Sequence, residues 1–205
     1  MGSLLGDTED VNRRKILASA ALNKKNKIWK QKKYIKRNTK IKIYRSMIKS
    51  VLTYNCGTWG LTKAEWNKLD AFHRKQLKYI LNITWPTRIS NEKLYEITNE
   101  EPLSKTCRRS RWNLLGHILR RKNTIPANQA MIYYFEKHAK GFCGGKRATL
   151  PTNLHEDLIK AGIPSPFGQS STLTLSSGED LELLRIIASD RERWRDLTRK
   201  LLLCN

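Results

Sequence analysis

Acidic residues are scarce in this chain: 18 Asp and Glu stand against 40 Lys and Arg, for a net charge of +22. Between Asn12 and Ala64 there are none at all, while the same stretch carries sixteen Lys and Arg. Such a stretch cannot neutralise itself with ion pairs along its own helices. Cysteine is equally sparse. Cys56, Cys107, Cys143 and Cys204 lie far apart with no Cys-x-x-Cys pair, and no apolar leader opens the chain. A disulfide framework and secretion are therefore not expected; reduced thiols and an intracellular location are, with the nucleus favoured over the cytoplasm. Cys204 is second from the end of the sequence, so a prenylation box is not expected. No run approaches the roughly eighteen apolar residues that a membrane span needs.

Signs of catalysis are missing as well. His138, Cys143 and His155 are too loosely spaced for a metal site without a fourth ligand. The carboxylate pairs Glu100-Glu101, Glu156-Asp157 and Glu179-Asp180 read as solvated charges at turns or helix starts, and none follows an aromatic residue on a strand, where polymerases hold two metal ions. There is no Gly-x-Ser-x-Gly elbow, and no cysteine is visibly coupled to a histidine. The glycine-rich Gly141–Arg147 loop is not a phosphate loop, which would need Gly at Lys140 and Ser or Thr at Arg147. His117 reads as a packed or capping residue. No catalytic residue, metal or other cofactor is assigned to the chain.

What remains is amphipathic and basic. With 205 residues, 39% of them hydrophobic, the chain can bury one sizeable core or two small ones. Leu4 and Leu5 read as the end of a strand, and Gly6–Asp10 as a turn with an acidic helix start. A helix follows from Val11 to about Trp29, then a basic connector over Gln31–Asn38. In Thr39–Trp59 the residues Tyr44, Met47, Ile48, Val51 and Leu52 recur at steps of three and four, with Lys40, Lys42, Arg45 and Lys49 mainly off that stripe. Gly57 and Gly60 are expected to end this helix in left-handed geometry. Thr62-Lys-Ala-Glu65 fits a capping box opening a third helix that buries Trp66, Leu69, Phe72, Leu77, Ile80 and Leu81, and Trp85-Pro86 closes it.

Further on, short helices are expected at Ser90–Thr98 and Ile125–Phe135. Leu103–Lys122 is a second basic concentration, with Trp112, Leu115, Ile118 and Leu119 on one face. Pro164–Gly178 has the composition of a mobile linker. Glu179–Cys204 repeats Leu181, Leu184, Ile187, Trp194, Leu197 and Leu201 at helical spacing, with Asp190 restarting a turn.

Four segments, in this order, resemble the C-terminal part of a non-LTR (LINE-type) retrotransposon reverse transcriptase. Gly2–Asp10 is similar to the last strand of that family's palm and the turn after it. Arg13-Arg14 with the helix ending at Trp29, the Lys42–Tyr54 segment and Gly57-Thr58-Trp59 resemble the thumb. Arg111-Trp-Asn-Leu-Leu-Gly116-His117-Ile-Leu-Arg120 resembles the family's Arg-rich, Leu-Gly-His helix, and Asp190-Arg-Glu-Arg-Trp194 its Asp-Arg-x-x-Trp ending. After Gly144-Gly-Lys-Arg147 the chain continues Ala-Thr-Leu-Pro, where the family carries further basic residues and a tryptophan. The resemblance implies that the catalytic aspartates and their magnesium belong to a palm upstream of Met1, so that this chain is not an enzyme by itself.

The expected fold is all-α, a thumb-like helical bundle followed by a second, loosely linked helical region. Residues 1–10 would be the palm remnant, 11–86 the bundle, 87–140 a basic helical region, 141–178 the basic loop and linker, and 179–205 a C-terminal helix. The expected partner is RNA or an RNA:DNA duplex, with DNA as a further candidate and neither a membrane nor a small-molecule substrate. Its phosphates would be gripped without sequence specificity by Arg13, Arg14, Lys24, Lys27, Lys32, Lys33, Lys36, Arg37, Lys42, Arg45 and Lys49 in the front third. Arg108, Arg109, Arg111, Arg120, Arg121, Lys146 and Arg147 would add to the grip from the second concentration. The rival readings are a basic chromosomal or RNA-binding protein, a membrane-surface protein, and a non-functional fragment of a degraded element.

Overall fold

The computed structural model describes residues 3–4, 6–31, 33–138, 148–164 and 172–203. The fold is all-α: among the described residues there is no strand, only an isolated bridge between Pro164 and Thr172. The strand end expected at Leu4 is not formed. That residue is exposed, and its N–H donates to Asp10 Oδ1 at 3.1 Å. The chain divides into two compact units, Met1–Cys56 with Thr62–Cys107, and Gly57–Leu61 with Arg108–Asn205. This partition differs from the expected break at residue 86.

The first unit opens with α1 (Asp7–Lys24), whose first turn holds Asp7, Glu9 and Asp10 against the positive end of the dipole. The single helix expected to Trp29 instead breaks at Lys25 and resumes as α2 (Asn26–Lys30). The break leaves the Leu22 carbonyl available, and the buried Trp29 indole donates to it at 2.8 Å.

α3 (Arg37–Tyr44) runs on through a π-helical turn, Arg45–Lys49, into α4 (Ser50–Leu52). The wider turn brings Tyr44, Ile48 and Leu52, spaced by four, onto one buried line with Ile41. Met47, expected on that line, is turned out and 48% exposed. Lys40, expected off it, is buried and donates its ammonium to the Trp29 carbonyl.

α5 (Lys63–Ile80) begins with the expected capping box of Thr62 and Glu65. It buries Leu69, Leu77 and Ile80, together with the polar Asp70, His73 and Gln76. Trp66, Phe72 and Leu81 are half-buried, and Trp85 beyond the helix is 87% exposed. α6 (Asn91–Thr98) packs on α5 and is capped by the Ser90 hydroxyl. The start of α7 (Leu103–Leu119) completes the unit; Asp70 accepts the Ser104 N–H at 2.9 Å and its hydroxyl at 2.6 Å.

The second unit takes the remainder of α7 with α8 (Pro126–His138), α9 (Leu150–Ala161), α10 (Gly178–Ser189) and α11 (Arg191–Leu203). α9 falls where only a loop and linker were expected. Leu173 and Leu175, within the expected mobile linker, are buried in the unit's core, so α10 and α11 are packed elements and not a loosely linked tail.

Trp194 of α11 lies in this core against Trp112, with ring centroids 5.7 Å apart, and donates its indole N–H to the Trp112 carbonyl. A Cβ on Gly116 would sit 2.2 Å from that indole nitrogen. Gly57 and Gly60 serve the same kind of close approach, to Ser110 and to the Thr149 backbone. Neither has the positive φ expected of a helix end; Gly162 is the described glycine that does.

Candidate nucleic-acid interface

In the first unit α1 and α5 run side by side in the same direction, pinned near both ends. Thr8 Oγ1 donates to Glu65 Oε1 at 2.7 Å, and Tyr79 OH donates to Asn26 Oδ1 at 2.9 Å. Between the pins partial burial first, and then repulsion from the nearby Lys68, push the Lys15 ammonium below its ordinary value; only Glu65 opposes the shift. Lys75, seven residues beyond Lys68 and four before Tyr79, continues the same exposed row on α5. From Glu65 to Tyr79 the row is about 21 Å long at 1.5 Å per residue, close to the axial rise of six base pairs of duplex. Arg13, Ile16, Ala20 and Lys24 form another exposed stripe on α1, about 100–180° round the helix from Lys15, and Lys27 and Lys30 of α2 are exposed too.

Several expected contacts are instead held by carboxylates. Arg14 is fully buried: its Nε lies 3.5 Å from Asp10 Oδ1, Nη2 donates to Ser3 Oγ, and the guanidinium lies 4.4 Å from the Tyr54 ring centre. It cannot meet a phosphate. Arg45 and Lys49 both bind Glu100, whose side chain is 1% exposed, and Arg45 also donates to the Thr98 and Asn99 carbonyls. Glu100 is thus not the solvated turn charge it was expected to be.

In the second unit Asp157 plays the same part. It takes Arg108 at 3.2 Å, the buried Arg111 at 3.0 Å and the Trp112 indole at 3.1 Å. Arg109 is half-buried, whereas Arg120 and Arg121 are exposed at the end of α7. Partial burial and the neighbouring Arg191 lower the Arg120 pKa, and its Nη1 donates to the Ala188 carbonyl at 3.3 Å. Lys24, Lys27, Lys33, Lys36, Arg37 and Lys42 are exposed as expected of contacts, and Arg13 is exposed on the α1 stripe. Lys32, Lys146 and Arg147 lie outside the described residues.

Beneath this surface the first unit has a polar core. Tyr44 OH lies 2.7 Å from His73 Nδ1 and donates to Gln76 Oε1 at 3.0 Å, and the imidazole stacks between the Tyr44 and Tyr95 rings. Burial first, then the charges of Lys49 and Arg74, push the His73 pKa down to about 3, against a smaller upward pull from the Glu101 backbone. Burial, with Glu100 and Tyr95 nearby, raises the Tyr44 hydroxyl well above the ordinary phenol. Both groups are neutral near pH 7 and serve as fixed scaffolding under α3 and α5.

Lys15, Lys68 and Lys75 were not among the expected contacts. The signal available was the spacing Lys68, Lys75, Tyr79 on a helix whose apolar face is otherwise clear, but the charge of α5 was overshadowed by the acid-free stretch before it. His155, considered as a metal ligand, accepts the Leu175 N–H at 3.2 Å. No group of three or more His, Cys, Asp or Glu suited to a metal ion occurs among the described residues, and no helix there is long and apolar enough to cross a membrane.

No family model matches this chain, and no curated protein or solved structure matches it either.

Proposed function

We propose that this chain binds RNA or an RNA:DNA duplex through its phosphates, without reading sequence, as the thumb and downstream region of a non-LTR reverse transcriptase. Polymerase chemistry and its magnesium would belong to a palm outside this chain. The observation that carries the reading is the α1–α5 seam, where the half-buried Lys15 and the exposed Lys68 and Lys75 set positive charge along one row that a polyanion laid on it would neutralise. The exposed Lys24 and Lys27 add to the positive field of the unit.

Four phosphate contacts, by Lys15, Lys27, Lys68 and Lys75, give an expected slope of log affinity against log salt of about −3.6 on duplex. Fluorescence anisotropy of a labelled RNA:DNA duplex over a salt series measures it. Changing Lys68 and Lys75 to Ala should flatten the slope by about two. The pair Arg193→Ala with Arg199→Ala, on α11 where each arginine is already paired with an aspartate, should leave it unchanged. A salt-independent affinity would overturn the proposal, and protection of one base sequence over others would favour a sequence-reading chromosomal protein.

A further inference from the structure

At one end of the first unit, the segment before α3, the segment after α5 and α6 enclose a cleft of about 390 Å³. Its walls are Ile35, Leu81, Ile83 and Ile97, with Arg37, Lys40 and Asn82 also lining it. From this geometry we infer that the cleft takes one unpaired base of a nucleic-acid strand, so that the chain binds the junction between a duplex and a single strand. The inference rests on the phosphate-binding role proposed above and names the form of nucleic acid that satisfies it.

Three observations select this occupant. Four of the lining side chains are aliphatic, as suits contact with an aromatic ring, and the volume is in the range of small-ligand pockets, too small for a length of paired duplex. Most of the charge around the cleft is positive: neither Asn12–Ala64 nor Ala71–Asn91, which together supply every wall residue but Ile97, contains an acid, and on α6 Glu96, next to Ile97, is paired with Lys93 at 3.0 Å. Exposed Lys30, Lys33, Lys36, Arg37 and Arg88 lie within these two segments. Finally, two large aromatic side chains next to the walls in sequence are left in solvent. Tyr34, just before Ile35, is 78% exposed with the Lys33 ammonium 5.7 Å from its ring centre; Trp85, two residues after Ile83, is 87% exposed.

Aromatic faces among cations are how proteins hold single strands, because every base has a face to stack and every linkage a charge to meet. Arg37 has a second asset. It stands in the first turn of α3, which has neither a side-chain cap nor an acidic residue, so the backbone N–H groups there add to the pull on a phosphate. A base inside a duplex is stacked and paired and cannot enter the cleft; one in an overhang can.

The test compares three labelled RNA:DNA probes with the whole chain: blunt, with an overhang of several uridines, and with an abasic overhang of the same length. The uridine overhang should bind about tenfold tighter than the blunt probe, as one stacked base provides, and the abasic overhang should lose most of that gain. Ile97→Trp, which fills the cleft, and Trp85→Ala, which removes the platform, should each abolish the gain and leave blunt-duplex affinity and the thermal melt unchanged. Equal binding of blunt and uridine probes would overturn the inference with phosphate binding intact, and so would an abasic overhang as good as uridine. Anionic vesicles competing as well as the overhang would assign the cleft to lipid and overturn it too. Loss of binding to all three probes would instead sink the phosphate-binding proposal itself.

Discussion

His73 couples the first unit to pH. Its folded pKa of about 3 lies below the ordinary 6.5, so between these values the unfolded chain takes up a proton that the folded chain refuses. The contribution is complete above pH 6.5 and is lost as pH falls; by pH 5 the loss is on the order of 2 kcal/mol. Urea unfolding at pH 7 and pH 5 should show that drop, and His73→Gln should remove it from the difference between the two. At the other end of the size scale, Gly116 is fixed by what lies on it. Gly116→Ala drives a methyl into the Trp194 indole, 2.2 Å away, and overpacking of this kind costs about 1–3 kcal/mol. The expected result is a lower urea midpoint with the quenching of the buried Trp112 and Trp194 disturbed. Gly116 and Trp194 belong to two of the sequence segments that carry the reverse-transcriptase resemblance, and in the fold they are one contact.

Among the elements, α7 and α9 are joined by Asp157, which serves both Arg108 and Arg111. Asp157→Asn keeps the shape but leaves Arg111 buried without a counter-charge, and loss of one partner of a buried pair costs about 3–5 kcal/mol. Equilibrium urea unfolding of the variant measures it. Salt should not rescue the loss, because a pair this buried is poorly screened. The same pair shows where sequence reading stops. Helix positions were legible wherever apolar spacing and a cap agreed, as in α5 with its Thr62–Glu65 box and in α11 opening at Asp190.

Helix α9 stands in a region whose flanking glycine-rich loop and Ser/Thr/Pro/Gly segment suggested loop throughout, although Thr149 caps it and Pro151 sits in its first turn, where proline is well tolerated. Leu173 and Leu175 were hidden among Ser and Thr, and the π-helical turn that exposes Met47 shifts the helical period in a way that simple spacing does not anticipate. Glu100 and Asp157 looked solvated because a carboxylate at a turn carries no mark of the arginine that will reach it from another helix. For that reason Arg14, Arg45, Lys49, Arg108 and Arg111 were counted as contacts, and the lysines of the α1–α5 seam were not.

Over the whole molecule, the chain passes between its two units at residues 56/57, 61/62 and 107/108. Neither unit is a continuous segment. A cut at residue 86, where composition suggested a boundary, removes α6, the buried Leu94 and Leu103, and the Glu100 that holds Arg45 and Lys49. The fragment 1–86 should therefore show helical circular dichroism without a cooperative thermal transition. A sharp melt equal to that of the whole chain would show that the core of the first unit closes without α6.

The short stretch Gly57–Leu61 carries a cost in time. Gly60 rests on the backbone of Thr149, which leaves the ribosome roughly ninety residues later, about 4–18 s at a synthesis rate of roughly 5–20 residues per second. Until Thr149 emerges the contact that seats Gly60 cannot form, so the stretch carrying Trp59 and Leu61, buried in the finished fold, waits for part of its own unit to be made.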